Sequence, residues 1–119
     1  MKKIIYLTLF IISRSFFCSA VLSGQTVSFD KYHDYNEVQK ILSSFASRYE
    51  NLCKLEIIGK SIQGRNISLV TISNCEKGKA EHKPAIYIDG GAHGEEVTST
   101  EMCLYIINKL LSETGTMRK

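Results

Sequence analysis

Apolar residues recur at regular spacing in several stretches of the chain. Tyr35, Val38, Ile41, Leu42, Phe45 and Tyr49 fall at helical intervals, with Asp34 ahead of them and Glu37 three residues further on. This is a capping-box pattern in front of an amphipathic stripe, and it predicts a helix near 34–49. Leu55-Glu56-Ile57-Ile58 and Ile67 to Ile72 are short β-type runs joined by the Gly-punctuated stretch Gly59 to Asn66, which predicts an antiparallel hairpin. Lys60, Ser61 and Arg65 lie in that connection and are expected to hold its turn. Asn74 to Lys83 is polar and charged, the composition of a surface loop. Pro84 then opens Ala85-Ile86-Tyr87-Ile88, a continuous apolar run that predicts a strand covered on both faces. Cys103, Ile106, Ile107, Leu110 and Leu111 mark a last helix from about 97 to 112, ending near Gly115. The order helix, strand, strand, strand, helix is an α/β pattern, with no internal repeat or low-complexity segment.

The N-terminus differs from the rest. Met1, Lys2 and Lys3 precede the largely apolar run Ile4 to Ile12, which Ser13-Arg14 interrupts, and small residues follow at Cys18-Ser19-Ala20 and Leu22-Ser23-Gly24. This reads as a signal peptide over 1–20, with the remaining domain over 21–119 and a secreted or periplasmic destination. The run falls short of the roughly 20 apolar residues a bilayer span needs, so no stable membrane span is expected. The 119 residues carry 15 Lys and Arg against 12 Asp and Glu. Three of the basic residues, Lys2, Lys3 and Arg14, lie in the signal segment, so the charge is balanced from Val21 onward and no basic face for nucleic acid is present. Removal of the signal leaves Cys53, Cys75 and Cys103, an odd number with no CxxC spacing. Cys103, inside an apolar helical pattern, is expected to be a buried free thiol. Asn66-Ile67-Ser68 is a glycosylation sequon that falls on a predicted strand, where the sequence assigns it no role.

The chemistry concentrates in Asp89-Gly90-Gly91-Ala92-His93-Gly94-Glu95-Glu96, directly after the apolar run and before the last helix. Ligands bind at the carboxyl ends of strands in open α/β sheets, and this loop occupies that position. Gly90, Gly91 and Gly94 are expected to let the backbone turn and leave room around the imidazole. His93 and Glu96, three apart in a turn, can aim one nitrogen and one carboxylate oxygen at a common point. Zinc accepts such ligands at about 2.0–2.2 Å, and a catalytic site takes three of them and leaves a position open for water. Taken alone, the same residues also fit a solvated loop in which the carboxylates complement the following helix dipole.

Three blocks together carry a resemblance: Tyr32-His33 before a helix, Ile58-Gly59-Lys60-Ser61 with Gly64-Arg65, and Pro84 to Gly94 with Glu96. In order and spacing they resemble the N-terminal part of zinc carboxypeptidases of the carboxypeptidase A/B type, over about residues 29–112. The resemblance implies the opening part of a mixed eight-stranded sheet flanked by helices. It implies Zn2+ as cofactor, His93 and Glu96 as its first two ligands, and a peptide or protein C-terminus as substrate. Glu95 stands where digestive members often have an Arg that helps bind substrate, so that role does not transfer; a solvent-facing Glu95 is expected. The third ligand, a His, and the carboxylate general base belong to the family's later half, which His33 and His82 do not match. No catalytic residue is therefore assigned, and the chain is expected to be a truncated or partial gene product, inactive by itself. Deacylases of the aspartoacylase or succinylglutamate desuccinylase type share the Gly-x-His-Gly-x-Glu loop but fit the upstream helix, the hairpin and the export signal less well. A non-catalytic remnant or peptide-binding module is the reading from outside enzymology.

Overall fold

A computed structural model describes residues 27–116, with side chains through residue 114. The signal segment and Cys18 lie outside the described residues. Helix α1 spans Tyr35–Arg48, strands β1 and β2 span Cys53–Lys60 and Asn66–Ile72, and helix α2 spans Val97–Thr116. The α/β class predicted from the pattern holds.

α1 begins where the sequence marks it. Asp34 is the N-cap: its Oδ1 accepts from the Glu37 N–H at 2.8 Å, and Glu37 Oε2 accepts from the Asp34 N–H at 3.0 Å. Two amide donors that the first turn leaves unpaired are thus satisfied reciprocally. Lys31 Nζ lies 2.6 Å from Glu37 Oε1. Their hydrogen bond, and then the Glu37 charge, holds the Lys31 ammonium above its usual range, while the same hydrogen bond, and then the one from the Asp34 N–H, holds the Glu37 carboxyl below its own.

β1 and β2 pair antiparallel, with Cys53 opposite Ile72 and Leu55 opposite Val70. Because side chains alternate across a strand, these four fall on one face, while Lys54 and Glu56, 3.0 Å apart, share the other. An irregularity between Ile57 and Gly59 inserts Ile58 without a partner. The helices cover the inward face. Leu42 and Phe45 of α1, Leu52, Cys53, and Leu104 and Leu111 of α2 form the buried cluster, with Leu55, Val70, Ile72 and Ile107 packed around it.

Two expectations change. Ala85 to Ile88 is not a strand: the segment has no regular structure, and Ile86 and Tyr87 are 90% and 76% exposed. A continuous apolar run forms a buried strand only where neighbours pair its backbone, and among the described residues β1 and β2 pair only with each other. α2 also continues through Gly115 to Thr116. One glycine costs a helix only about 1 kcal/mol relative to alanine, too little to end it. Asn74 to Lys83 is the expected surface segment, containing two single 3-10 turns, Cys75–Lys77 and Ala80–His82.

Candidate metal centre

The loop between the irregular apolar run and α2 is anchored at both ends. A Cβ built on Gly90 would lie 2.6 Å from the Ser99 carbonyl oxygen and 2.8 Å from Cys103 Sγ, so the chain crosses α2 at a distance only glycine permits. Gly91 has φ +81°, the left-handed region that glycine enters without strain. The Gly91 N–H donates to Ser99 Oγ at 2.8 Å, and the same hydroxyl donates to the Glu96 carbonyl at 2.7 Å. One side chain of α2 thereby ties the start of the loop to its end. A Cβ on Gly94 would meet nothing within 4 Å, so the space expected of this third glycine is not needed.

Within the anchored loop the Glu96 N–H donates to the His93 carbonyl at 3.0 Å, closing a tight turn. The turn brings His93 Nδ1 to 3.2 Å from Glu96 Oε1, with the side chains 72% and 59% exposed. Two donors bound to one tetrahedral zinc at its usual bond lengths stand about 3.3 Å apart. The observed spacing and the imidazole–carboxylate chemistry therefore fit two corners of such a site, open to solvent. Among the described residues no group of three His, Cys, Asp or Glu side chains is arranged to hold a metal ion. Glu95 is exposed.

The remaining sequence candidates lie elsewhere. His82 is exposed in the second 3-10 turn. His33 packs against α2: its backbone N–H donates to Glu101 Oε1 at 2.6 Å and its Nδ1 lies 2.9 Å from Glu101 Oε2. Tyr32 Oη is 3.5 Å from Thr98 Oγ1, and Phe29 meets Tyr105 edge to face. The segment ahead of α1 is thus fixed to the helix that carries the loop. Ser61 does hold the hairpin turn, its N–H donating to the Arg65 carbonyl and its Oγ accepting from the Arg65 N–H. The Arg65 guanidinium lies over the Tyr35 ring.

Cys53, Cys75 and Cys103 are all free. Cys53 is the buried one; Cys103, expected to be buried, is half-buried. Burial pushes both thiols up, and Asp89 adds to the effect at Cys103, so neither is a ready thiolate ligand at neutral pH. Ser99 and Glu101 were not apparent as functional residues in the sequence. An Asp-Gly-Gly segment followed by a hydroxyl in the next helix is the nearest signal for Ser99; Glu101 has none.

A model of the zinc carboxypeptidase family matches residues 38–119. The chain is 39% identical over 85 residues to carboxypeptidase B of Astacus astacus, covering 71% of this chain and 27% of that protein. It is 28% identical over 103 residues to human carboxypeptidase D, covering 81% of this chain and 8% of that protein. Carboxypeptidase M of Mus musculus is 29% identical over 82 residues, 69% of this chain and 18% of that protein. The chain belongs to the zinc carboxypeptidase family. It spans about a quarter or less of the length of these relatives. Its helices and hairpin are consistent with the opening part of a carboxypeptidase fold.

Proposed function

We propose that this chain is the N-terminal part, residues 21–119, of an exported zinc metallocarboxypeptidase that removes C-terminal residues from peptides or proteins, and that His93 and Glu96 are its first two zinc ligands. The observation that carries the reading is the 3.2 Å approach of His93 Nδ1 to Glu96 Oε1 in a loop anchored by Gly90, Gly91 and Ser99. In this reading the third ligand and the general base come from sequence beyond Lys119.

Zinc, when bound, supplies Lewis acidity toward a substrate carbonyl and acidity to a water. The chain's own residues position the ligands. Gly90 brings the backbone onto α2, Gly91 turns it, and Ser99 fixes the spacing of the loop ends, so the imidazole and carboxylate are presented together. Such supporting hydrogen bonds hold ligands in the geometry a metal requires. Two ligands alone hold zinc weakly, which is why the chain by itself is proposed to be inactive.

The test uses the protein extended beyond Lys119. It should release single residues from the C-termini of unblocked peptides, lose that activity on treatment with a zinc chelator and regain it on addition of zinc. Cleavage unaffected by the chelator, or an extension with no later His and Glu, would favour the non-catalytic reading. The export proposal has its own check: mass spectrometry of the secreted protein should find an N-terminus near Val21 or Gln25, and an intact Met1 would refute it.

A further inference from the structure

We propose that Asn66 is a site of N-linked glycosylation, resting on the export reading of residues 1–20. Asn66-Ile67-Ser68 is the only Asn-x-Ser/Thr in the 119 residues. The sequon lies at the turn end of the hairpin, where Asn66 begins β2 opposite Lys60. The backbone there is fixed while the side chain is left to solvent. The Asn66 N–H donates to Tyr35 Oη at 2.8 Å, and the same hydroxyl donates to the Asn66 carbonyl at 3.5 Å. Asn66 is exposed, and its side-chain amide makes no hydrogen bond among the described residues. Its neighbours Arg65 and Ile67 are exposed as well. A bulky, hydrophilic group on Asn66 Nδ2 therefore projects from the turn without displacing the packed core.

Ser68 Oγ, the hydroxyl the sequon supplies, donates to Gln39 Oε1 of α1 at 3.0 Å and is half-buried. Transfer requires this hydroxyl to be reachable together with Asn66. The co-reactant is an oligosaccharide linked to a lipid pyrophosphate. A bond forms between Asn66 Nδ2 and the anomeric carbon of the first sugar, and the bond from that carbon to the pyrophosphate oxygen breaks. Nδ2 loses one proton and the lipid pyrophosphate leaves; nothing is oxidised or reduced.

The test is translation of the whole chain in the presence of endoplasmic-reticulum microsomes, reading protection from added protease and sensitivity to peptide-N-glycosidase. The wild-type chain should yield a protected species carrying one glycan, with Asn66 converted to Asp on glycosidase treatment. Asn66→Gln and Ser68→Ala should both be protected and unmodified. A protected wild-type chain without glycan, or a glycan retained in Asn66→Gln, would overturn the site while leaving export intact. A chain that is not protected would overturn the export reading and the glycan with it.

Discussion

At the residue scale the loop is shaped by glycines and one hydroxyl as much as by His93 and Glu96. Gly90→Ala would force a Cβ against backbone and sulfur atoms at under 3.0 Å, and overpacking of this kind costs about 1–3 kcal/mol. Thermal unfolding should register that loss, while Gly94→Ala, with open space around it, should be close to neutral. Ser99→Ala tests positioning: in the extended protein it should weaken zinc by about 10–100-fold, the usual effect of removing a supporting hydrogen bond, without removing a ligand. Unchanged affinity would show that the loop is held by other contacts. His93 and Glu96 were legible in the sequence because the signal is local, two residues in one turn. Ser99 was not, because its bonds to Gly91 and to the Glu96 carbonyl depend on how the loop crosses the helix. Glu101 was hidden for a stronger reason: its partner, His33, is 68 positions away.

At the element scale, periodicity and capping located both helices and the hairpin. Asp34→Ala should cost α1 about 1 kcal/mol, measured by denaturant unfolding. The lowered Glu37 carboxyl gives the sign of its pH dependence. Its contribution is present above the unfolded carboxylate range and is lost as pH falls through the folded value, so Glu37→Gln should flatten the acid limb of the stability curve. An equally steep limb in that variant would contradict the assignment. The cysteines divide by element too: at pH 8 Cys75 should alkylate first, with Cys53 and Cys103 slowed by their raised thiols. The strand expected at Ala85 to Ile88 does not form, since an apolar run marks a segment as fit for burial but does not supply the neighbours that pair with it.

At the scale of the whole molecule, the described core is six buried side chains, Ile86, Tyr87 and Ile88 are exposed, and neither hairpin edge pairs with a further strand among the described residues. Unpaired edges beside exposed apolar residues promote association, so the 21–119 chain should sediment as a concentration-dependent mixture rather than a monomer. A monomer with a sharp cooperative thermal transition would contradict this. Family membership was legible from three short blocks in order, because each is a local constraint: a capped helix entry, a tight hairpin turn and a Gly-rich loop. Calorimetric titration of the extended protein with zinc decides the proposal that His93 and Glu96 hold the metal. His93→Ala and Glu96→Ala should each abolish tight binding, and Glu95→Gln should leave it intact. Undiminished binding in the His93 variant would contradict the assignment, and an equal loss in the Glu95 variant would place the ligand on the neighbouring carboxylate.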